Sequence, residues 1–359
     1  MNSDPHTDPA RMPARRFLRG NIARYFGVYF LAFFCLFLVF YDARVGVIIK
    51  QMGAVRWRWM LAAALMEIFV YVLEGLQWQL LLKPRGRIPW YKATQAIYVG
   101  LFANEILPLR AGEVARTYLV SRWLNTSFVA ILPSIMLQRF LDGIWLIIAI
   151  GITAILVDLP KNLIQAADIF GVVLLSATFF LILLIFRKEK KLEKGSVVTQ
   201  YRWKPLQYLA SVIQRIAVGI QEIGTSGSFF AAFLVAFFVL FFQVLSFWLM
   251  MLAYGITVSI WVGAAVLFIV LLGTAIPNAP ANLGTFQFFT VLGLSLFDVD
   301  KTTATGFSVI SFSLITALFL ILGFFAVGMS GIHFKQIKDE IKTLWSAQRK
   351  NNYKILNHK

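Results

Sequence analysis

Cysteine, histidine and charge are all scarce in this sequence, and each scarcity removes a class of chemistry. A single cysteine, Cys35, lies inside an apolar run, so neither a disulfide framework nor a thiolate metal site can be built. His6, His333 and His358 all stand in polar terminal segments, which keeps imidazole chemistry away from the apolar part of the chain. No Walker-type phosphate loop is present, so ATP hydrolysis is not expected. No cofactor and no metal are expected either. Charged residues make up 14% of the chain, against about 25% in soluble domains.

Apolar residues fill the space that charge leaves. They are 59% of the 359 residues and arrive in long blocks. "FFAAFLVAFFVLFFQVLSFWLMMLAYGI" has no polar face to offer water, so lipid must be its solvent. The charge that remains is one-sided, with 34 Lys+Arg against 17 Asp+Glu and a net charge of +17. Nucleic-acid binding would also demand a basic chain. Here, however, the basic residues flank apolar spans, as the positive-inside rule and anionic headgroups require. The N-terminal segment is basic and precedes an apolar run that lacks a small-x-small cleavage site, so a retained first helix with a cytoplasmic N-terminus is expected. The fold class is therefore all-α, a polytopic integral membrane protein.

Full-length spans are expected at about 24–41, 59–82, 134–157, 167–186, 229–253 and 303–329, each near the ~20 residues needed to cross. Two further stretches, 93–132 and 256–297, are broken by Pro, Asn and Gly. Basic clusters follow the second and fourth spans and fill the C-terminal tail, while "DLPKNLIQAAD" and "DVDK" balance lysine with carboxylates. Keeping the basic loops on one side makes both broken stretches re-entrant hairpins, or pairs of short helices, entering from opposite faces. The basic segment 42–58, read as a loop, argues against that orientation. Irregular backbone at membrane depth must be packed in protein or line a cavity, and one break per half is the pattern of an inverted repeat. The organisation is a basic tail (1–23), a transmembrane domain (24–330, halves 24–186 and 205–330) and a basic cytoplasmic tail (331–359). The segment 205–223 is amphipathic, either an interfacial helix or a plain linker helix.

Ionisable groups in such a chain are costly unless paired or hydrated, so each is a candidate. The densest set is "NEILPLRAGEVARTYLVSR". Pro108 breaks the helix, Asn104 is placed to cap exposed backbone, and Arg110, Glu113 and Arg116 fall on one face beyond the break. Helix N-termini and arginine suit phosphate; the structural alternative is an internal Glu113–Arg116 pair. In "AIPNAPANLGTFQFF", Pro277 and Pro280 end a helix, Gly284 permits close approach and Thr285 is positioned to cap the next helix. Free N–H groups near Asn278 and Asn282 would then point inward. Arg139 and Asp142, three apart, read as a structural ion pair. Glu67, Tyr71, Glu74 and Trp78 form a polar stripe, either neutralising arginines, carrying protons or hydrogen-bonding between helices.

Those three motifs, "NEILPLRAGEVARTYLVSR", "QRFLDG" and "PNAPANLGTFQ", resemble the flippase-like transmembrane domain of lysylphosphatidylglycerol synthases over about residues 20–330. This sequence departs from that family at Ala281-Asn282, where Gly-Gly is common, and at Gln138 and Gln287, where Glu is common. The resemblance implies lipid handling without aminoacyl transfer: movement of a phospholipid or polyprenyl-phosphate lipid between leaflets of a bacterial cytoplasmic membrane. Arg110 and Arg116 would attract the lipid phosphate, Glu113 would orient Arg116, and the second break would add backbone donors. Two rivals are a membrane-embedded transferase, for which external carboxylates are too scattered, and an accessory subunit of a separate lipid-modifying enzyme. A polar cavity where the breaks meet is the expectation that separates transport from the accessory role.

Overall fold

The computed structural model describes residues 29–107, 111–157, 204–275 and 279–331, with Val172 and Ser176. Among them every regular element is a helix. Four helices are long and apolar enough to cross a membrane, or five if one bent pair counts as a span. That pair is α1 (Tyr29–Phe40) and α2 (Val45–Gly53), bent by 84°. The four long helices are α3 (Trp57–Leu82), α6 (Phe128–Leu156), α8 (Gly227–Tyr254) and α11 (Lys301–Met329). The expected span at 167–186 lies outside the described residues, apart from two isolated positions.

Both broken stretches are pairs of short helices. The first is α4 (Trp90–Ile106) and α5 (Gly112–Trp123), the second α9 (Ile260–Gly273) and α10 (Thr285–Ser295), with a tight turn at Pro280–Asn282 between the latter two. Helix α4 stops where it must: Leu107 takes extended backbone, φ −106° and ψ 139°, because Pro108 clashes with a helical residue before it. Helices α9 and α11 start on side-chain caps, Ser259 accepting from the Val262 N–H and Asp300 from the Thr303 N–H, which satisfies otherwise orphaned donors.

Each half thus reads long, short, short, long, and the halves run in opposite senses. Helices α3 and α8 pack antiparallel: the Arg56 N–H donates to the Ala253 carbonyl, Ser246 sits against Ala63, and Phe69 meets Phe242 edge-on at 4.9 Å. The legs of the α4–α5 hairpin end beside Gly86 and Leu124, which touch. Those of α9–α10 end beside Tyr254 and Lys301, at the opposite end of α3 and α8. The second hairpin's elbow, Pro280–Asn282, reaches inward to pack on α4.

The 42–58 segment, expected to be a loop, is mostly α2. Its basic residues have structural work there: the Arg56 guanidinium donates to the Leu252 carbonyl at 2.6 Å, placing a cation at the C-terminal end of α8. Gln51 links α2 to Thr303 and Tyr254. The amphipathic segment is helix α7 (Lys204–Gly224). It lies on α6 with Ile220 and Ile223 buried and is held by an Arg85–Glu222 ion pair at 2.7 Å.

Candidate functional site

The first break begins with a side chain closing the backbone. The Gly112 N–H, first in α5, donates to Asn104 Oδ1 at 2.7 Å, the capping role the sequence suggests. A Cβ on Gly112 would strike the Gly100 carbonyl, so glycine lets α4 and α5 close tightly at the elbow. One turn further on, Arg116 is 3% exposed. Its stem lies against Gly100 and its guanidinium stands over the Trp78 ring, 4.8 Å from the centroid. Nη1 donates to Gln138 Oε1 at 3.2 Å, while Nε and Nη2 have no hydrogen-bond partner. Those two atoms form one edge of the guanidinium, the edge that grips a carboxylate or phosphate through two parallel bonds.

Beside it runs a charged network on α5 and α6. Arg139 Nε donates to Glu113 Oε1 at 3.1 Å, and Arg139 Nη1 lies 3.6 Å from Asp142 Oδ2. Gln77 Nε2 donates to Asp142 Oδ1 at 2.9 Å. Gln138 Nε2 donates to Gln77 Oε1 at 3.2 Å and lies 3.4 Å from the Glu74 carbonyl. Trp78 Nε1 donates to Ser134 Oγ at 3.0 Å. The carboxylates of Glu74, Glu113 and Asp142 act on both guanidiniums. Arg139 stands eleven residues after Phe128 in a 29-residue helix, about 16 Å along its axis. Its side chain is 48% exposed. The network therefore lies well inside the helix bundle, with one half-open flank.

This geometry differs from the expected pairing. The ion pair shown for Glu113 is with Arg139 on the neighbouring helix, and Arg116 turns instead to Gln138 and Trp78. Helical spacing put Glu113 within reach of Arg116, but α6 offers a guanidinium at better range. The Arg139–Asp142 pair forms as the spacing suggests. Gln77 was not singled out, although it extends the Glu67–Tyr71–Glu74–Trp78 stripe by one position. That stripe does not face one partner. Glu67 meets Ser246 on α8, Tyr71 meets Tyr98 and Phe319, and Trp78 meets α5 and α6.

The second break is self-contained. Ala281 and Asn282 have φ of 57° and 55°, and Gly284, at φ 85°, packs on the Ala32 backbone, where a Cβ would collide. The N–H groups of Asn282 and Leu283 donate to the Ala279 and Pro280 carbonyls. The Gly284 N–H donates to Gln287 Oε1 at 2.7 Å. Free donors were expected here, but tight turns and the Gln287 side chain take these three. Thr285 is the first residue of α10, not its cap, and its hydroxyl donates back to the Asn282 carbonyl at 2.9 Å. Arg110 and Asn278 lie outside the described residues.

A cavity of about 110 Å³ adjoins the first break, between α4, α5 and α11. The expectation was a polar cavity. Val99, Phe102, Ile106, Ala115 and Val327 make this one apolar, with Tyr118 and Ser330 as its polar members.

Comparison with known proteins agrees with the motifs. A UPF0104 membrane protein of Methanocaldococcus jannaschii is 24% identical over 307 residues, covering 81% of this chain and 91% of that protein. No solved structure matches. Residues 25–323 match the family described as Lysylphosphatidylglycerol synthase TM region. The protein is an integral membrane protein, and it belongs to this lipid-related family.

Proposed function

We propose that the protein is a lipid translocase, moving a phospholipid or polyprenyl-phosphate lipid between leaflets with the headgroup passing the α3–α5–α6 network. The observation that carries this reading is Arg116: a guanidinium 3% exposed, positioned by Trp78 and Gln138, whose two-donor edge has no partner. Buried donors left unmade are costly, and this edge has the shape of a phosphate clamp. Arg139, Glu113 and Asp142 line the half-open flank by which a headgroup approaches, while the acyl chains remain in lipid. The clustering of lysine and arginine after the second and fourth spans supports an orientation with both termini in the cytoplasm.

A leaflet-accessibility assay in proteoliposomes tests this, using fluorescent phosphatidylglycerol, a zwitterionic lipid and a polyprenyl phosphate. One class should move with wild type. Arg116→Ala, checked for folding, should slow it roughly ten- to hundredfold, the equivalent of one charge-assisted bond. A second reading, an accessory subunit of a separate lipid-modifying enzyme, is favoured by the apolar character of the cavity at the break. No movement of any lipid, with or without a proton gradient, would select it.

A further inference from the structure

Glu67 stands apart from the charged network, in the seam where α3 packs on α8. It is 5% exposed, and among the described residues no arginine or lysine forms an ion pair with it. Ser246 Oγ lies 2.9 Å from Glu67 Oε2 and 3.0 Å from the Ala63 carbonyl. A serine hydroxyl carries one proton and can donate to only one of these two acceptors. With Glu67 ionised, one of the two short oxygen–oxygen contacts would have no proton between its atoms, inside an apolar seam where an unpaired charge is costly. A proton on Glu67 Oε2 resolves both contacts. The carboxyl then donates to Ser246, and Ser246 donates to Ala63.

Among the described residues, none sets a counter-charge against the carboxyl. From α3 itself come Tyr71, whose hydroxyl also bonds the carboxyl, and Glu74. From α4 comes Tyr98; Glu105, further along that helix, turns to Thr316 of α11. The only ionisable residue of α8 is Tyr254, at its end, and the only one of α11 is Lys301, at its start. From α6, Arg139 acts on Tyr71, one turn along α3 from Glu67. We propose that Glu67 is a proton-binding site of the transmembrane region, neutral in this conformation. It gives up its proton only when α3 and α8 part far enough for water to take it from Oε2 as hydronium, and regains it as the seam closes.

This inference rests on hydrogen bonding and stands apart from the translocation reading, so its test needs no lipid movement. Infrared spectra of the purified protein in lipid at neutral pH should show a protonated-carboxyl C=O absorption that Glu67→Gln lacks. Ser246→Ala should shift that absorption by removing its hydrogen-bond partner. If wild type and Glu67→Gln are identical in that region and the variant has lost an ionised-carboxylate band instead, the proposal is overturned. Should Glu67→Gln fail to fold, the Ser246→Ala spectrum decides alone: a shift supports the proton, and an unshifted spectrum overturns it.

Discussion

Gln138 is the neutral residue on which the charged network turns. It is fully buried and joins the Arg116 guanidinium to Gln77 and the Glu74 carbonyl. Replacing it with leucine leaves a buried arginine and a buried amide each short of a partner. Hydrogen bonds to charged groups are worth about 1.5–3 kcal/mol. Gln138→Leu should therefore lower unfolding stability in detergent by roughly that amount, seen as a reduced thermal midpoint. Gln138→Glu keeps the acceptor for Arg116 and adds a counter-charge, but loses the donor to Gln77 and the Glu74 carbonyl, so its midpoint should fall less than that of Gln138→Leu. A leucine variant as stable as wild type would mean that the network is not closed as described. The charged members, Glu113, Arg116, Arg139 and Asp142, were legible because ionisable residues stand out in so apolar a chain. The Arg139–Asp142 pair was legible as well, but the Glu113–Arg139 pair was not, since spacing within one helix reveals only partners on that helix. Gln77 escaped notice for the plainer reason that an uncharged amide beside a tryptophan carries no signal of cost.

The second elbow shows the same limit one level up. Pro277, Pro280 and Gly284 marked the break correctly, but nothing in their order told that the intervening turn would take two consecutive residues into the left-handed region. Ala281 is held at φ 57°, a conformation costing a non-glycine residue about 1–2 kcal/mol. This gives a physical reason for the Gly-Gly common in the family at Ala281-Asn282; asparagine tolerates the region better than alanine because a short polar side chain can bond locally. Ala281→Gly relieves the alanine strain but adds unfolded-state freedom worth about 0.5–1 kcal/mol. The net expectation is a gain of about 0–1.5 kcal/mol and a thermal midpoint held or raised. A fall on this substitution would show that the turn is not strained at Ala281. Helix α2 was missed because four basic residues within 42–58 read as a loop. One of them, Arg56, is spent on the Leu252 carbonyl at the end of α8, a use that only the folded arrangement discloses.

That finding bears on how the whole molecule lies in the membrane. Hydropathy predicted the four long spans α3, α6, α8 and α11, the Pro, Asn and Gly interruptions marked the two broken pairs, and the antiparallel packing of α3 on α8 adds the inverted sense that hydropathy cannot supply. The remaining ambiguity was the basic 42–58 segment, which counted against placing the 83–92 loop in the cytoplasm. With α2 folded back against the C-terminal end of α8 and the start of α11, Arg56 serves that helix end. Its charge no longer weighs as a free loop cation in the positive-inside balance. The proposed orientation puts the loop of Lys83, Arg85 and Arg87 on the cytoplasmic side and α2 on the opposite face. Exposed positions at the two ends make this measurable: Lys50 on α2 and Arg87 in the loop are both exposed. In a background where the buried Cys35 is replaced by alanine, Lys50→Cys should react with a membrane-impermeant maleimide added to intact cells. Arg87→Cys should react only after permeabilisation. The reverse labelling would invert the protein in the membrane, turning the first hairpin to the outer face and the second to the cytoplasm. Labelling of both from outside would mean that the two loops share one face, which the antiparallel course of α3 between them forbids.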